Sequence, residues 1–220
     1  MKRICRIIVF IFFVFFFTCI QNLYAKGDLQ YWNTATLEWK AKKDWKLSFE
    51  EEFRLAEELT TFSYKHSDLG LSYSGMADWL EIKISYRQIF NISHDRWKYE
   101  NVPNLNITAK ADFFGINLTD RNRMEYRDIE DKKSDWRYRN KFTAILPKLT
   151  RLGIEPYAAD EIFIDCTEDF EFNRNRLYAG ITFALIKNLK LDLYYLLQTT
   201  KSGGKWVSYN VFGTKAKLSF

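Results

Sequence analysis

Residues 115–144 read GINLTDRNRMEYRDIEDKKSDWRYRNKFTA, and both halves of the stretch alternate. In the first half one parity holds Asn117, Thr119, Arg121, Arg123, Glu125 and Arg127, all polar. The other holds Ile116, Leu118, Met124 and Tyr126, interrupted by Asp120 and Asn122. After a charged connection from Asp128 to Asp135, Trp136, Tyr138, Phe142 and Ala144 alternate with Arg137, Arg139 and Lys141. Successive side chains of a strand point to opposite faces, so a period of two predicts paired strands with one greasy and one charged face. A solvated sheet could also carry those charges, and the rest of the chain has to decide.

Working outward, the same design recurs. Trp45, Leu47, Phe49, Phe53 and Leu55 alternate with Lys46, Ser48, Glu50, Glu52 and Arg54; Leu80, Ile82, Ile84 and Tyr86 alternate with Glu81, Lys83, Ser85 and Arg87. Similar patterns run from Leu29 to Ala41, Tyr64 to Tyr73, Asn104 to Ala111, Asn173 to Phe183, Lys190 to Gln198 and Trp206 to Phe220. Residues 154–165 are less regular; Asp160 and Glu161 fall on both faces, Pro156 suits an edge or strand entry, and the register stays open. No segment shows a helical apolar period, so the chain is all-β.

Short turns appear to the eye at 42–44, 74–78 and 112–115, and polar connections of about seven to eleven residues at 56–63, 91–101, 128–135 and 199–205. Residues 146–153 belong to the short-turn side. This alternation predicts a transmembrane antiparallel up-and-down β-barrel with periplasmic turns and outer loops. Ten residues at about 3.3 Å each, tilted near 40°, rise roughly 25 Å, the height of an apolar barrel band. A soluble barrel larger than about eight strands could not fill its interior with side chains. A wet or ion-paired lumen lined by Glu50, Glu52, Arg54, Arg87, Arg121, Arg123, Glu125, Arg137, Arg139, Arg174 and Arg176 suits these strands better.

Eleven segments are readable, yet bacterial single-chain barrels have even strand numbers. About 12 strands is therefore the expectation, with Lys26 to Trp32 as a separate short strand; the alternative is 10. Trp45 and Trp79 open strands after short turns and Trp136 and Trp206 after long connections, which predicts two interfacial girdles.

The amino terminus supplies the address. Lys2, Arg3 and Arg6 precede an apolar run from Ile7 to Ile20 and a small residue at Ala25, the layout of a signal peptide over residues 1–25. Residues 26–220 would then form the barrel. Without the leader, the 33 basic residues fall to 30 against 28 acidic ones. No basic face remains to hold phosphates, so a nucleic-acid partner is not expected. Of three cysteines only Cys166 survives, which excludes an internal disulfide.

The strands WKLSFEEEFRL (45–55), DLGLSY (68–73), LTDRNRMEYR (118–127), WRYRNKF (136–142) and NRNRLYAG (173–180) resemble those of a Gram-negative outer-membrane barrel family, domain of unknown function 2490. The resemblance implies outer-membrane location and a barrel fold, and it carries no catalytic residues. Phe220, in parity with Leu218, Ala216 and Phe212, resembles the terminal signal read by the barrel-assembly machinery.

The expected partners are therefore outer-membrane lipid and that machinery, with oligomeric state open. A lipid-modifying enzyme would need a nucleophile and base. His66 and His94, the two histidines, lack that setting and read as surface residues. No cofactor motif or metal-ligand spacing occurs, and Asp165, Glu168, Asp169 and Glu171 read as a solvated acidic loop. No enzyme is expected. The lumenal charges predict a structural ion-pair network, or else a small anion- or solute-conducting pore.

Overall fold

A computed structural model describes residues 27–93, 96–149, 153–167 and 169–220. The expected signal segment, His94 and Glu168 lie outside them. Eleven strands follow in order: β1 (Leu29–Lys42), β2 (Trp45–Ala56), β3 (Thr61–Ala77), β4 (Leu80–Ser93), β5 (Arg96–Phe113), β6 (Ile116–Ile129), β7 (Asp135–Ile145), β8 (Ile154–Asp165), β9 (Glu171–Ile186), β10 (Leu189–Ser202) and β11 (Lys205–Ser219). Each pairs with its sequence neighbours, and β1 returns to β11 to close a barrel.

Two expectations are corrected here. Among the described residues the strand count is eleven, not twelve or ten, because Leu29 to Lys42 is one continuous strand. The ring is also not wholly antiparallel. An up-and-down ring of odd number must contain one pair running the same way, and that pair is β1 with β11, in register from Leu29↔Asn210 to Glu38↔Ser219. A parallel ladder still satisfies every backbone group, with slanted bonds. Phe220 extends the seam, donating its N–H to the Glu38 carbonyl at 2.9 Å and accepting from Lys40 N–H at 3.0 Å.

The connections also differ from expectation. β2 and β3 are joined by residues 57–60, β6 and β7 by 130–134, and β10 and β11 by Gly203 and Gly204 alone. β4 runs to Ser93, and β5 starts at Arg96. Residues 146–153, read as lying on the short-turn side, are the longest connection. Backbone pairing continues past the point where one face stops being apolar, so the hydrophobic period marks only part of each strand. Gly203 (φ 56°) and Gly204 (φ 78°) supply the two left-handed positions of a tight hairpin.

Pro156 does not mark an edge, because its strand pairs on both sides. The register of β8 places Glu161 and Phe163 inside, both about 1% exposed, and leaves Asp160 outside.

The wall is inverted relative to a soluble protein. Leu37, Phe49, Leu69, Ile84, Leu105, Ile107, Phe142 and Leu193 are exposed, while Thr34, Asp68, Glu100, Arg123, Arg139 and Arg176 are buried. Six tryptophans are exposed: Trp39, Trp45 and Trp79 near one end, Trp97, Trp136 and Trp206 near the other. Trp32 turns inward instead and packs with Leu196, Val211, Tyr178 and Tyr194.

A polar patch interrupts the outer face on β6 to β9. Asn140 Nδ2 donates to Asp120 Oδ1 at 2.6 Å, Asn122 Nδ2 to Asp120 Oδ2 at 3.0 Å, Tyr138 Oη to Asn122 Oδ1 at 2.5 Å, and Asn175 Nδ2 to Asp160 Oδ1 at 2.6 Å.

Inside, two glycines let aromatic rings lie against the wall. A methyl group at Gly213 would come within 1.9 Å of the Tyr194 ring, and one at Gly180 within 2.7 Å of Tyr157. Outside the same wall segment lies an apolar hollow of about 490 Å³ bordered by Pro156, Ala179, Ile181, Leu193, Tyr195 and Phe212. Gly213→Ala is therefore expected to cost about 1–3 kcal/mol through overpacking. The unfolding midpoints should show Gly213→Ala/Tyr194→Leu losing less than the sum of its two single variants; additive losses would mean that ring and glycine are independent.

Candidate functional site

The lumen is lined by a band of charged and polar side chains to which every strand contributes. On β2, Glu50 meets Lys215 of β11 at 2.9 Å, Arg87 of β4 at 3.7 Å and the Thr36 hydroxyl of β1 at 3.1 Å. Arg87 in turn holds Asp68 of β3 at 3.0 Å, and Lys83 holds the same carboxylate at 3.3 Å. The Ser85 hydroxyl lies 3.3 Å from Asp68 and 2.9 Å from Asn104 Oδ1, so its single proton serves one at a time. Asn106 Nδ2 donates to Asn104 Oδ1 at 2.8 Å, and Arg123 Nε donates to Asn106 Oδ1 at 2.5 Å. The polar chain thus passes from β3 to β6.

From there two carboxylates carry the arginines. Glu125 is about 1% exposed and takes Arg137 at 2.7 Å, Arg139 at 2.8 Å and Arg123 at 3.3 Å. Glu161 takes Arg139 at 2.8 Å, Arg121 at 2.9 Å, Arg176 at 3.7 Å and the Tyr178 hydroxyl at 3.0 Å. Arg139 bridges both. Arg176 Nε continues to Gln198 of β10 at 2.8 Å.

Aromatic rings fill the spaces where carboxylates run out. Arg54 binds Glu52 through Nε at 2.7 Å and Nη2 at 2.5 Å, while its guanidinium lies 3.6 Å from the Trp32 ring and 3.9 Å from Tyr64. Arg176 also approaches Trp32, at 4.7 Å, and Lys141 stands 3.6 Å over Tyr178. These contacts attract cations to ring faces. A cavity of about 590 Å³ remains within the band, reaching from Glu38, Glu81 and Lys217 to Asn91 and Gln198.

The structure thus brings Glu50, Glu52, Arg54, Arg87, Arg121, Arg123, Glu125, Arg137, Arg139 and Arg176 into one band of ion pairs joined by hydrogen bonds. Arg174 faces the same cavity but has no partner among the described residues. The network follows the wall between neighbouring strands more than it crosses the barrel.

Pattern reading missed Asp68, Lys83, Lys215 and the asparagines, and it left the face of Glu161 open. Asp68 and Lys215 share the lumenal parity of their strands, a signal that was available.

His66 is not a surface residue. It is 2% exposed, with Nδ1 3.0 Å from the Tyr64 hydroxyl and Nε2 3.4 Å from Glu50. The reason is register, since Glu52↔His66 places its ring on the charged face. Cys166 is a free thiol just past β8.

Asp165 and Glu171 are strand residues rather than parts of an acidic loop: Asp165 accepts from Asn173, and Glu171 pairs with Lys201 at 2.7 Å. Outside the wall, Asp131 holds its carboxyl below the usual range through Lys98 and Arg96.

Removing one member of a buried ion pair leaves the other charge uncompensated, at about 3–5 kcal/mol. Glu161→Ala or Glu125→Ala should incur a loss of that order, because each strands several guanidiniums. Arg139→Ala should cost less, since Glu125 keeps Arg137 and Arg123, and Glu161 keeps Arg121. Denaturant titration of the folded barrel checks the order; equal losses for Arg139→Ala and Glu161→Ala would contradict the hub arrangement.

No curated protein matches the chain. The profile of the family described as Protein of unknown function (DUF2490) matches residues 29–209, which span β1 to the first residues of β11. On that match over most of its length, this β-barrel chain belongs to the DUF2490 family.

Proposed function

We propose that the protein is an integral β-barrel of the Gram-negative outer membrane, without catalytic activity, whose lumen is braced by its Arg/Glu network. The inverted wall is the observation that carries this reading. Exposed Leu, Ile and Phe side chains recur around the outside while carboxylates and guanidiniums are buried within. In water, contiguous apolar surface on that scale would drive association; in a bilayer it is the required outer face. The two exposed sets of tryptophans suit the two headgroup levels, and the hollow beside Ile181 and Phe212 has the apolar lining an acyl chain needs.

On this reading the leader directs export, lipid covers the wall, and the barrel-assembly machinery receives the carboxyl-terminal strand. A second reading, a small anion- or solute-conducting pore, draws on the length of the lumenal cavity and its arginine lining.

The mature protein is expected to fractionate with outer membrane and to shift in gel mobility on boiling. Recovery in the soluble periplasmic fraction after osmotic shock would overturn the reading. Planar-bilayer conductance separates the two lumens: the braced barrel conducts little, whereas a steady anion-preferring current would install the pore.

Phe220 can be tested without touching the seam. Its side chain is 65% exposed, and its backbone makes the bonds to β1. Phe220→Ala keeps those bonds and should still lower the folded yield in cells if the ring is the assembly signal. An unchanged yield would show that the ring is incidental.

A further inference from the structure

The charge band leaves one arginine out. Arg174 of β9 lines the cavity, has no ion pair or hydrogen bond among the described residues, and keeps a buried Nε without an acceptor. Its guanidinium carbon is 5.3 Å from the centre of the Phe163 ring. Arg137, Arg139 and Arg176 approach the same ring at 5.7, 4.4 and 4.7 Å. The carboxylates that serve this cluster, Glu125 and Glu161, already carry Arg121, Arg123, Arg137, Arg139 and Arg176.

Two further groups beside it are incompletely used. Thr200 of β10 is the ladder partner of Arg174, and its hydroxyl is buried without a partner. Gln198 is the ladder partner of Arg176; its Oε1 accepts from Arg176 Nε, which leaves its amide N–H groups to donate. Two guanidiniums, a hydroxyl and an amide therefore stand on adjacent strands and on one face. A half-buried guanidinium with a buried, unpaired Nε next to an unsatisfied hydroxyl is costly, and one anion would relieve both.

We propose that Arg174, Arg176, Gln198 and Thr200 form a binding site for a tetrahedral oxyanion of the phosphate or sulfate type, either free or at the end of a larger molecule. The forked donors of Arg174 match two oxygens of such a group, and the hydroxyl and amide reach others, which a halide could not use. The site rests on lumenal geometry alone and is independent of membrane placement and of conductance.

The test uses the full mature chain, folded in non-ionic detergent. Inorganic phosphate binding is followed by equilibrium dialysis and by the unfolding midpoint, against sodium chloride at equal ionic strength. Saturable binding that raises the midpoint is expected. Arg174→Gln should weaken it at least tenfold, Thr200→Val should weaken it less, and Arg174→Gln in chloride should unfold at or above the parent midpoint.

A dihexanoyl phosphatidic acid arm identifies the source. Binding of that lipid but not of inorganic phosphate, abolished by Arg174→Gln, keeps the site and assigns it to a headgroup. The chain's own Asp165 is the competitor, because its Oδ1 is also buried and unpaired. If Arg174→Gln lowers the midpoint in chloride as much as Asp165→Asn does, while neither phosphate nor the lipid binds saturably, Arg174 is an internal ion-pair partner and the proposal falls. Binding that persists unchanged in Arg174→Gln overturns it equally.

Discussion

A charge taken out of water must find a partner, and in this barrel that requirement organises the interior. Glu125 and Glu161 each bind three guanidiniums, with Arg139 shared, and the asparagine and serine chain from Arg123 to Asp68 carries the polar contact onward to β3. Breaking such a pair costs more than its formation contributes, because desolvation is incurred by both ions and recovered only when they meet. The network therefore contributes little net stability and a great deal of specificity. A one-residue slip of any strand would turn its charges to the greasy side and strand their partners.

Closure depends on the same constraint. Lys215 of β11 reaches Glu50 of β2 across β1, and Thr34 and Thr36 of β1 donate to Glu52 and Glu50. These contacts lie at the parallel seam, where no hairpin fixes the register. The buried Trp32 adds a second lock, set among Leu196, Val211 and the guanidiniums of Arg54 and Arg176. Asp28 ties the start of β1 to the neighbouring hairpin by accepting from the N–H groups of Glu57 and Glu58 at 2.5 and 2.6 Å. Side chains thus do at the seam what turns do elsewhere.

The barrel and much of its charged lining were legible because a period of two survives wherever one face is apolar. β2 and β6 show it plainly. The strand number was harder, because the even-number rule describes how other barrels close and contains nothing about Leu29 to Lys42. Strand ends were hidden where the alternating run is short and sits inside a polar stretch, as at Arg96 to Tyr99, which pair with β4 all the same. His66 and Glu161 were misplaced or left open because their neighbours blur the alternation: Lys65 and Asp160 put charge on the opposite face. Which carboxylate would serve which arginine depends on stagger between strands, and no single strand records it.

The residues that spoiled the alternation at the outset, Asp120 and Asn122, have a physical account. Asn122 stands opposite Asn140, while Asp120 and Asp160 flank Phe142 on either side. The outward polar groups are thus gathered where they can bond one another, with two amides serving Asp120 and one serving Asp160. A hydrogen-bonded carboxylate on an apolar face costs far less than a bare one. The inner face of the same strands holds Arg121, Arg123, Arg137 and Arg139, a local excess of positive charge. The outward acids therefore stand on the strands whose inner face is rich in arginine, so the least lipid-like part of the wall and the arginine-rich part of the lumen are two faces of the same strands.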